Sequence, residues 1–131
     1  MHRDGYVLAA VLLGLVGLLF PVQSTPPSLW KIALLAAAEE NIFRCGLQDW
    51  LEQRLLSRSH PAVTGPISLA NIVASLAFCL AHLPFSPLLH SLSVFFPSLI
   101  LGILWSRHKS LFLCAGVHCY YNAVYYHFSV L

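Results

Sequence analysis

The chain has 131 residues, of which 58% are hydrophobic and 9% charged, and its formal net charge is +2. Soluble globular chains carry about 25% charged residues, so this composition excludes an ordinary water-soluble domain. No basic tract interleaved with aromatics is present, and a nucleic-acid partner is not expected. What is left is a membrane-embedded unit, and unbroken apolar runs in place of alternating polarity make it helical instead of a barrel.

In chain order, the first apolar run is Tyr6–Val22. Its basic start and the small residues Val22 and Ser24 also fit a cleavable signal, but the run exceeds the roughly 7–15 apolar residues of such segments. Residues 1–28 are therefore read as an N-terminal transmembrane segment or signal anchor with its linker, "PVQSTPPS". Four more runs follow, Leu29–Trp50, Ile67–Leu83, His90–Trp105 and Leu111–Leu131, each near the roughly 20 residues that a helix needs to cross the hydrocarbon core. The connectors "SRSHPAVTGP", "LPFSP" and "SRHKS" are short and rich in turn formers, which makes successive helices antiparallel neighbours. The predicted fold is all-α, a polytopic transmembrane bundle of four to five membrane-spanning helices.

Threaded alternately, Arg3, Arg54, Arg58, Arg107 and Lys109 fall on one face and only Lys31 on the other. The positive-inside rule makes the crowded face cytoplasmic, with the N-terminus inside and the C-terminus outside. The reading is a multi-pass integral membrane protein, of the plasma or inner membrane in a bacterium. Cys45, Cys79, Cys114 and Cys119 all fall within spans, without CxxC spacing, and read as small apolar packing residues.

The second run contains "LAAAEENIFRCGL". Glu40 and Arg44 are four apart and share a helix face, whereas Glu39 points about 100° away and has no partner on its own helix. Ionisable groups at such depth are costly and mark function by default. The third run, "SLAFCLAHL", sets Phe78 and His82 four apart, and Asn71 and Ser75 continue that polar stripe. The last run, "GVHCYYNAV", sets His118 and Asn122 four apart. Counted by helical rise, Glu39, His82, His118 and Asn122 reach depths at which they ring one cavity. Tyr120, Tyr121, Tyr125 and Tyr126 read as an aromatic belt or packing residues, and His2, His60, His90, His108 and His127 as solvated imidazoles at segment ends or in loops.

The ordered set EExxxR, FxxxH and HxxxN on three helices resembles the CAAX-protease and bacteriocin-processing family of intramembrane glutamic endopeptidases, also called the abortive-infection family. The matching stretches are "EENIFR", "FCLAH" and "HCYYN". The resemblance covers Leu29–Leu131, read as the protease core (residues 29–131), and leaves the first span outside. It implies that Glu39 and His82 activate a water without a metal or other cofactor, and that His118 and Asn122 stabilise the oxyanion. Glu40 and Arg44 would orient the helix, beside Phe78. The family processes membrane-associated proteins and peptides, so the implied partners are such a substrate and the bilayer. The chain is shorter than typical members, which leaves room for a homo-oligomer or an accessory membrane protein. It also has Cys45 where a glycine usually follows the motif arginine, with Gly46 next, a departure expected to shift close helix packing by one position. Two alternatives stand beside this reading. One is a zinc metalloprotease holding its metal with Glu39, His82 and His118; the other is a non-catalytic membrane scaffold or immunity protein.

Overall fold

The computed structural model describes residues 5–19, 25–56 and 66–128, and every regular element among them is helical. There are five rods. The first, α1 (Gly5–Leu19), tightens into 3-10 turns at Leu15–Leu19. The second, α2 (residues 29–56), runs through α-helical Leu29–Glu40, π-helical Asn41–Gln48 and α-helical Asp49–Leu56. Next come α3 (Leu69–His82), α4 (Leu88–His108) and α5 (residues 111–128), whose last turn, Val124–Phe128, is again π-helical.

Local chemistry sets the boundaries. Ser68 and Ser110 cap α3 and α5, their hydroxyls accepting from the backbone N–H of Asn71 (3.1 Å) and Leu113 (3.3 Å), which satisfies donors a helix start leaves orphaned. The α4 rod is interrupted at Val94, three residues before Pro97. A proline offers no N–H to the carbonyl four residues back, and its ring crowds that carbonyl, so the turn before it opens. Lys109 ends α4 in the left-handed region at φ 47°.

The rods approach most closely where side chains are missing. A Cβ on Gly102 of α4 would collide with the Asn71 amide of α3, and one on Gly14 of α1 would collide with the rings of Tyr120 and Tyr121 of α5. The Tyr121 hydroxyl donates to the Ala10 carbonyl (2.8 Å), and the Arg107 guanidinium lies over the Tyr6 ring. Thus α1 is packed into the body. Ala10, Leu101, Leu104, Trp105, Cys114 and Val117 form a buried core shared by α1, α4 and α5. All four cysteines are free, with Cys79 and Cys114 buried and Cys45 and Cys119 half-buried. Gly46 is exposed, and a Cβ there would meet nothing nearer than the Asn41 carbonyl; the expected shift of close packing to this glycine does not occur.

Polarity is inverted relative to a soluble domain. Glu40, Arg44, Gln48, Asn71, Ser75 and Ser98 are fully buried, while Leu12, Trp30, Leu34, Leu80, Phe96 and Phe112 face outward. Only α4 among the described helices is both long and apolar enough to cross a membrane; α1 and α3 are apolar but shorter. That is fewer than the four to five spans expected from sequence. The physical reasons are visible: α3 closes after 14 residues, α2 carries Glu39, Glu40, Arg44 and Asp49, and α5 is diluted by His118, Asn122 and its tyrosines. Arg3, Val22, Ser24, residues 57–65 (with Arg58 and His60), His2 and residues 129–131 lie outside the described residues, and with them the cleavage-site reading and part of the charge pattern behind the orientation.

Candidate active site

Ala-rich α2 brings two adjacent glutamates to the interior, and the site grows from them. Glu40 is 0% exposed and uses both carboxylate oxygens. Oε2 accepts from Arg44 Nε at 3.1 Å, the pairing expected from their spacing. Oε1 faces His118 Nδ1 on α5 at 2.8 Å, a contact that the spacing within α2 did not reveal. An ionised carboxylate only accepts, so Nδ1 of His118 carries the proton in this bond. The other ring nitrogen, Nε2, lies 3.5 Å from Glu39 Oε2. His118 is therefore bracketed by both glutamates, and the partner that Glu39 lacks on its own helix is supplied by α5.

On α3, His82 Nδ1 contacts the Phe78 carbonyl at 2.9 Å. A carbonyl also only accepts, so Nδ1 donates and a neutral His82 keeps Nε2 as its acceptor nitrogen. The Phe78 ring, buried, touches both imidazoles, with centroids 4.4 Å from His82 and 5.8 Å from His118, and meets Phe43 edge-on at 5.1 Å. Phe78 thus spaces the two histidines. Glu39, Phe78, His82, His118 and Asn122 all line one cavity of about 490 Å³. All four residues expected to ring a cavity are on its wall.

Beneath the cavity runs a buried polar spine that the motifs only half disclosed. Along α2, Glu40, Arg44, Gln48 and Glu52 recur every four residues and are bonded in sequence, Arg44 Nη1 to Gln48 Oε1 (3.1 Å) and Gln48 Nε2 to Glu52 Oε1 (3.0 Å). Arg44 Nη2 also donates to the Ser98 hydroxyl (2.6 Å) and carbonyl (2.9 Å) on α4. From Ser98 the bonds continue to Ser75 (3.0 Å) and then to Asn71 Oδ1 (3.2 Å), while Asn71 Nδ2 donates to the Leu99 carbonyl (2.9 Å). With its donors engaged and its charge paired, a buried arginine is a rigid strut. Gln48 and Glu52 were legible as a four-residue repeat continuing from Glu40 and Arg44; Ser98, a lone serine in an apolar run, carried no such signal.

The spine ends in an ionic cluster beyond the apolar part of α2. Lys109 Nζ donates to Asp49 Oδ1 and Glu52 Oε2, each at 2.6 Å, and the Ser106 hydroxyl donates to Glu52 Oε1 at 2.6 Å. Burial raises the pKa of Glu52, but the bonds from Lys109, Ser106 and Gln48 outweigh it and hold the carboxyl below its ordinary value of 4.5. Burial likewise opposes the charge of Lys109, and its bonds to Asp49 and Glu52 overcome this and raise its pKa.

Two features of the cavity differ from the sequence reading. Leu13, Gly14, Val16 and Gly17 of α1 form part of its wall, so the first segment is more than an anchor. His90, read as a solvated imidazole, is half-buried on the wall with its ring 5.1 Å from Tyr125. His127 and His108 are exposed, as expected for segment ends. Among the described residues no group of three His, Cys, Asp or Glu side chains is placed to hold a metal ion, so Glu39, His82 and His118 share a cavity without forming the ligand set of the zinc alternative.

A carboxylate and imidazoles facing a common cavity are the equipment of a hydrolytic enzyme: acceptors for a water proton and donors for a developing negative charge. The comparison with protein families agrees with that class. The family model described as type II CAAX prenyl endopeptidase Rce1-like matches residues 6–124, and the chain belongs to this family. The match opens within α1, so the family likeness extends beyond the region 29–131 that the motifs marked. No curated protein and no solved structure was found to match the chain.

Proposed function

We propose that the protein is a multi-pass intramembrane endopeptidase that hydrolyses a peptide bond near the C-terminus of a prenylated, membrane-associated protein or peptide, using a water activated by glutamate and histidine. The observation that carries this reading is the convergence of Glu39, His82, His118 and Asn122 on one cavity, in a chain that belongs to the Rce1-like family. The apolar exterior around a polar interior supports a bilayer setting. The catalytic unit is the bundle as a whole, α1 included.

In this mechanism Glu39 takes a proton from a water in the cavity, with His82 Nε2 as the second acceptor, and the water oxygen attacks the scissile carbonyl carbon. The carbonyl electron pair moves to oxygen, where the Asn122 amide and His118 donate. With Nδ1 held by Glu40, Nε2 is the atom through which His118 donates, its N–H turning from Glu39 Oε2, 3.5 Å away, to the carbonyl oxygen. Collapse of the intermediate breaks the C–N bond, and the amine leaves with the proton first taken from water. Glu40 and Arg44 act as positioning residues, fixing His118 through a spine anchored at Ser98 and Gln48.

The test is cleavage of a synthetic prenylated peptide by the purified protein in lipid nanodiscs, followed by mass spectrometry with and without a strong zinc chelator. One defined cut, insensitive to chelation, is expected. Chelator inhibition that added zinc reverses would favour the metalloprotease, and absence of any cut across a peptide library would favour the scaffold.

A further inference from the structure

We infer that His90 forms a subsite for the free C-terminal carboxylate of the substrate, on the cavity wall supplied by α4. This rests on the endopeptidase reading above and deepens it.

Among the described residues that line the cavity there is no lysine or arginine. An anion entering it is therefore met by an imidazole, a hydroxyl or an amide. Two of the three cavity imidazoles are already engaged, His118 between Glu40 and Glu39, and His82 through Nδ1 at the Phe78 carbonyl. His90 is different. Its ring packs against Tyr125, and neither of its nitrogens is bonded to a described residue. The segment carrying it is well fixed: the Ser93 hydroxyl donates to the His90 carbonyl (2.7 Å), Ser91 N–H to the Pro87 carbonyl (2.9 Å), and Val94 N–H to the His90 carbonyl (3.1 Å). Ser86 and Ser93, at either end of this segment, also line the cavity. The offset at Val94 separates this short helical piece from the rest of α4, which carries Ser98 of the spine.

The substrate class supplies the anion. In a CAAX protein the prenylated cysteine is the fourth residue from the end, so cleavage within the box puts the reacting bond within three residues of the carboxyl terminus. At about 3.3–3.6 Å per residue the carboxylate then lies no more than about 11 Å from that bond. It enters the apolar cavity with the scissile peptide, and an unpaired carboxylate there is costly. An imidazole with uncommitted nitrogens on the same wall offers an N–H donor, and a second one with positive charge when the carboxylate arrives.

The experiment compares two prenylated peptides differing only at the terminus, one a free acid and the other a carboxamide. For the wild-type protein, kcat/KM is expected to favour the acid by about 10–100-fold, the worth of one hydrogen bond to a charged group, with the difference carried by KM. His90→Phe keeps a ring against Tyr125 and removes the N–H groups, and is expected to bring the acid down to the level of the carboxamide. An unchanged acid-to-amide ratio in His90→Phe overturns the proposal, as does a wild-type protein that treats both peptides alike, a result that requires no variant. If wild type cleaves neither peptide, the endopeptidase reading fails by itself. The subsite is then decided by fluorescence anisotropy with dye-labelled forms of the two peptides, where the wild type must still bind the acid more tightly and His90→Phe must not.

Discussion

At the residue scale, the site is held together by pairs of buried polar groups. Glu40 shows how much this depends on both of its bonds: one oxygen holds Arg44, the other His118. Glu40→Gln leaves the buried Arg44 charge without its carboxylate, and breaking such a pair costs about 3–5 kcal/mol. Thermal denaturation in detergent should therefore show a clearly lowered Tm together with lost turnover; an unchanged Tm would mean that the pair bears no weight. Asn122 is the opposite case, since it lines the cavity and its amide bonds to no described residue. Asn122→Ala is expected to lower kcat by about 10²–10³ with little change in KM, the usual cost of one oxyanion donor. Asn122→Asp should be severely impaired near neutral pH and recover in part as the pH falls and the carboxyl gains a proton to donate. A turnover undiminished in both variants would return Asn122 to helix packing. Spacing made these residues legible, because four-residue intervals fix a shared helix face whatever the tertiary structure. The link from Glu40 to His118 and the burial of His90 were not legible, because they depend on the rotation and distance of neighbouring helices.

At the scale of the elements, α2 is an arm stiffened along one face by Glu40, Arg44, Gln48 and Glu52 and clamped to α4 at its middle through Arg44–Ser98 and near its C-terminal end through Glu52–Ser106. The clamp beyond the apolar stretch is titratable. The folded-state pKa of Glu52 is lowered, so its contribution to stability is fully present above its unfolded value of 4.5 and is lost as pH falls through its folded value. Wild-type Tm should exceed that of Glu52→Gln near pH 7, and the gap should narrow as pH falls below the ordinary carboxyl value and through the lowered folded one. A gap that persists unchanged into acid would show that the carboxylate charge is not what stabilises the clamp. Sequence foretold an all-helical chain of four to five rods in this order, but not the continuity of α2 through Trp50 to Leu56, nor its π-helical middle. Helical periodicity read at a fixed 100° per residue carries no signal for a change of winding. The role of α1 as a cavity wall was missed for a similar reason, since Gly14 and Gly17 offer no side chain for a pattern to register; Gly14 admits the rings of Tyr120 and Tyr121, and Gly17 lies against Val124 and the Tyr125 backbone.

At the scale of the molecule, composition announced the inversion of polarity, and the fold locates it: charged and amide groups along a central spine, large apolar side chains outside. That arrangement suits a bilayer, in which the expected topology has a direction. A reporter inserted between Ser106 and Ser110 should behave as cytoplasmic and one fused after Leu131 as extracytoplasmic, whereas the reverse result at both positions would overturn the orientation and with it the side from which substrate enters. The central claim is that a carboxylate on α2 performs hydrolysis in this cavity. It is tested most directly by product release from one prenylated peptide, measured by mass spectrometry for the wild type and for Glu39→Gln, each in nanodiscs and each shown to be folded by its Tm. Glu39→Gln keeps the shape of the side chain and removes the base, so the wild type should release the C-terminal fragment and Glu39→Gln should release none above the uncatalysed background. A folded Glu39→Gln protein that retains a substantial fraction of wild-type turnover would contradict the account.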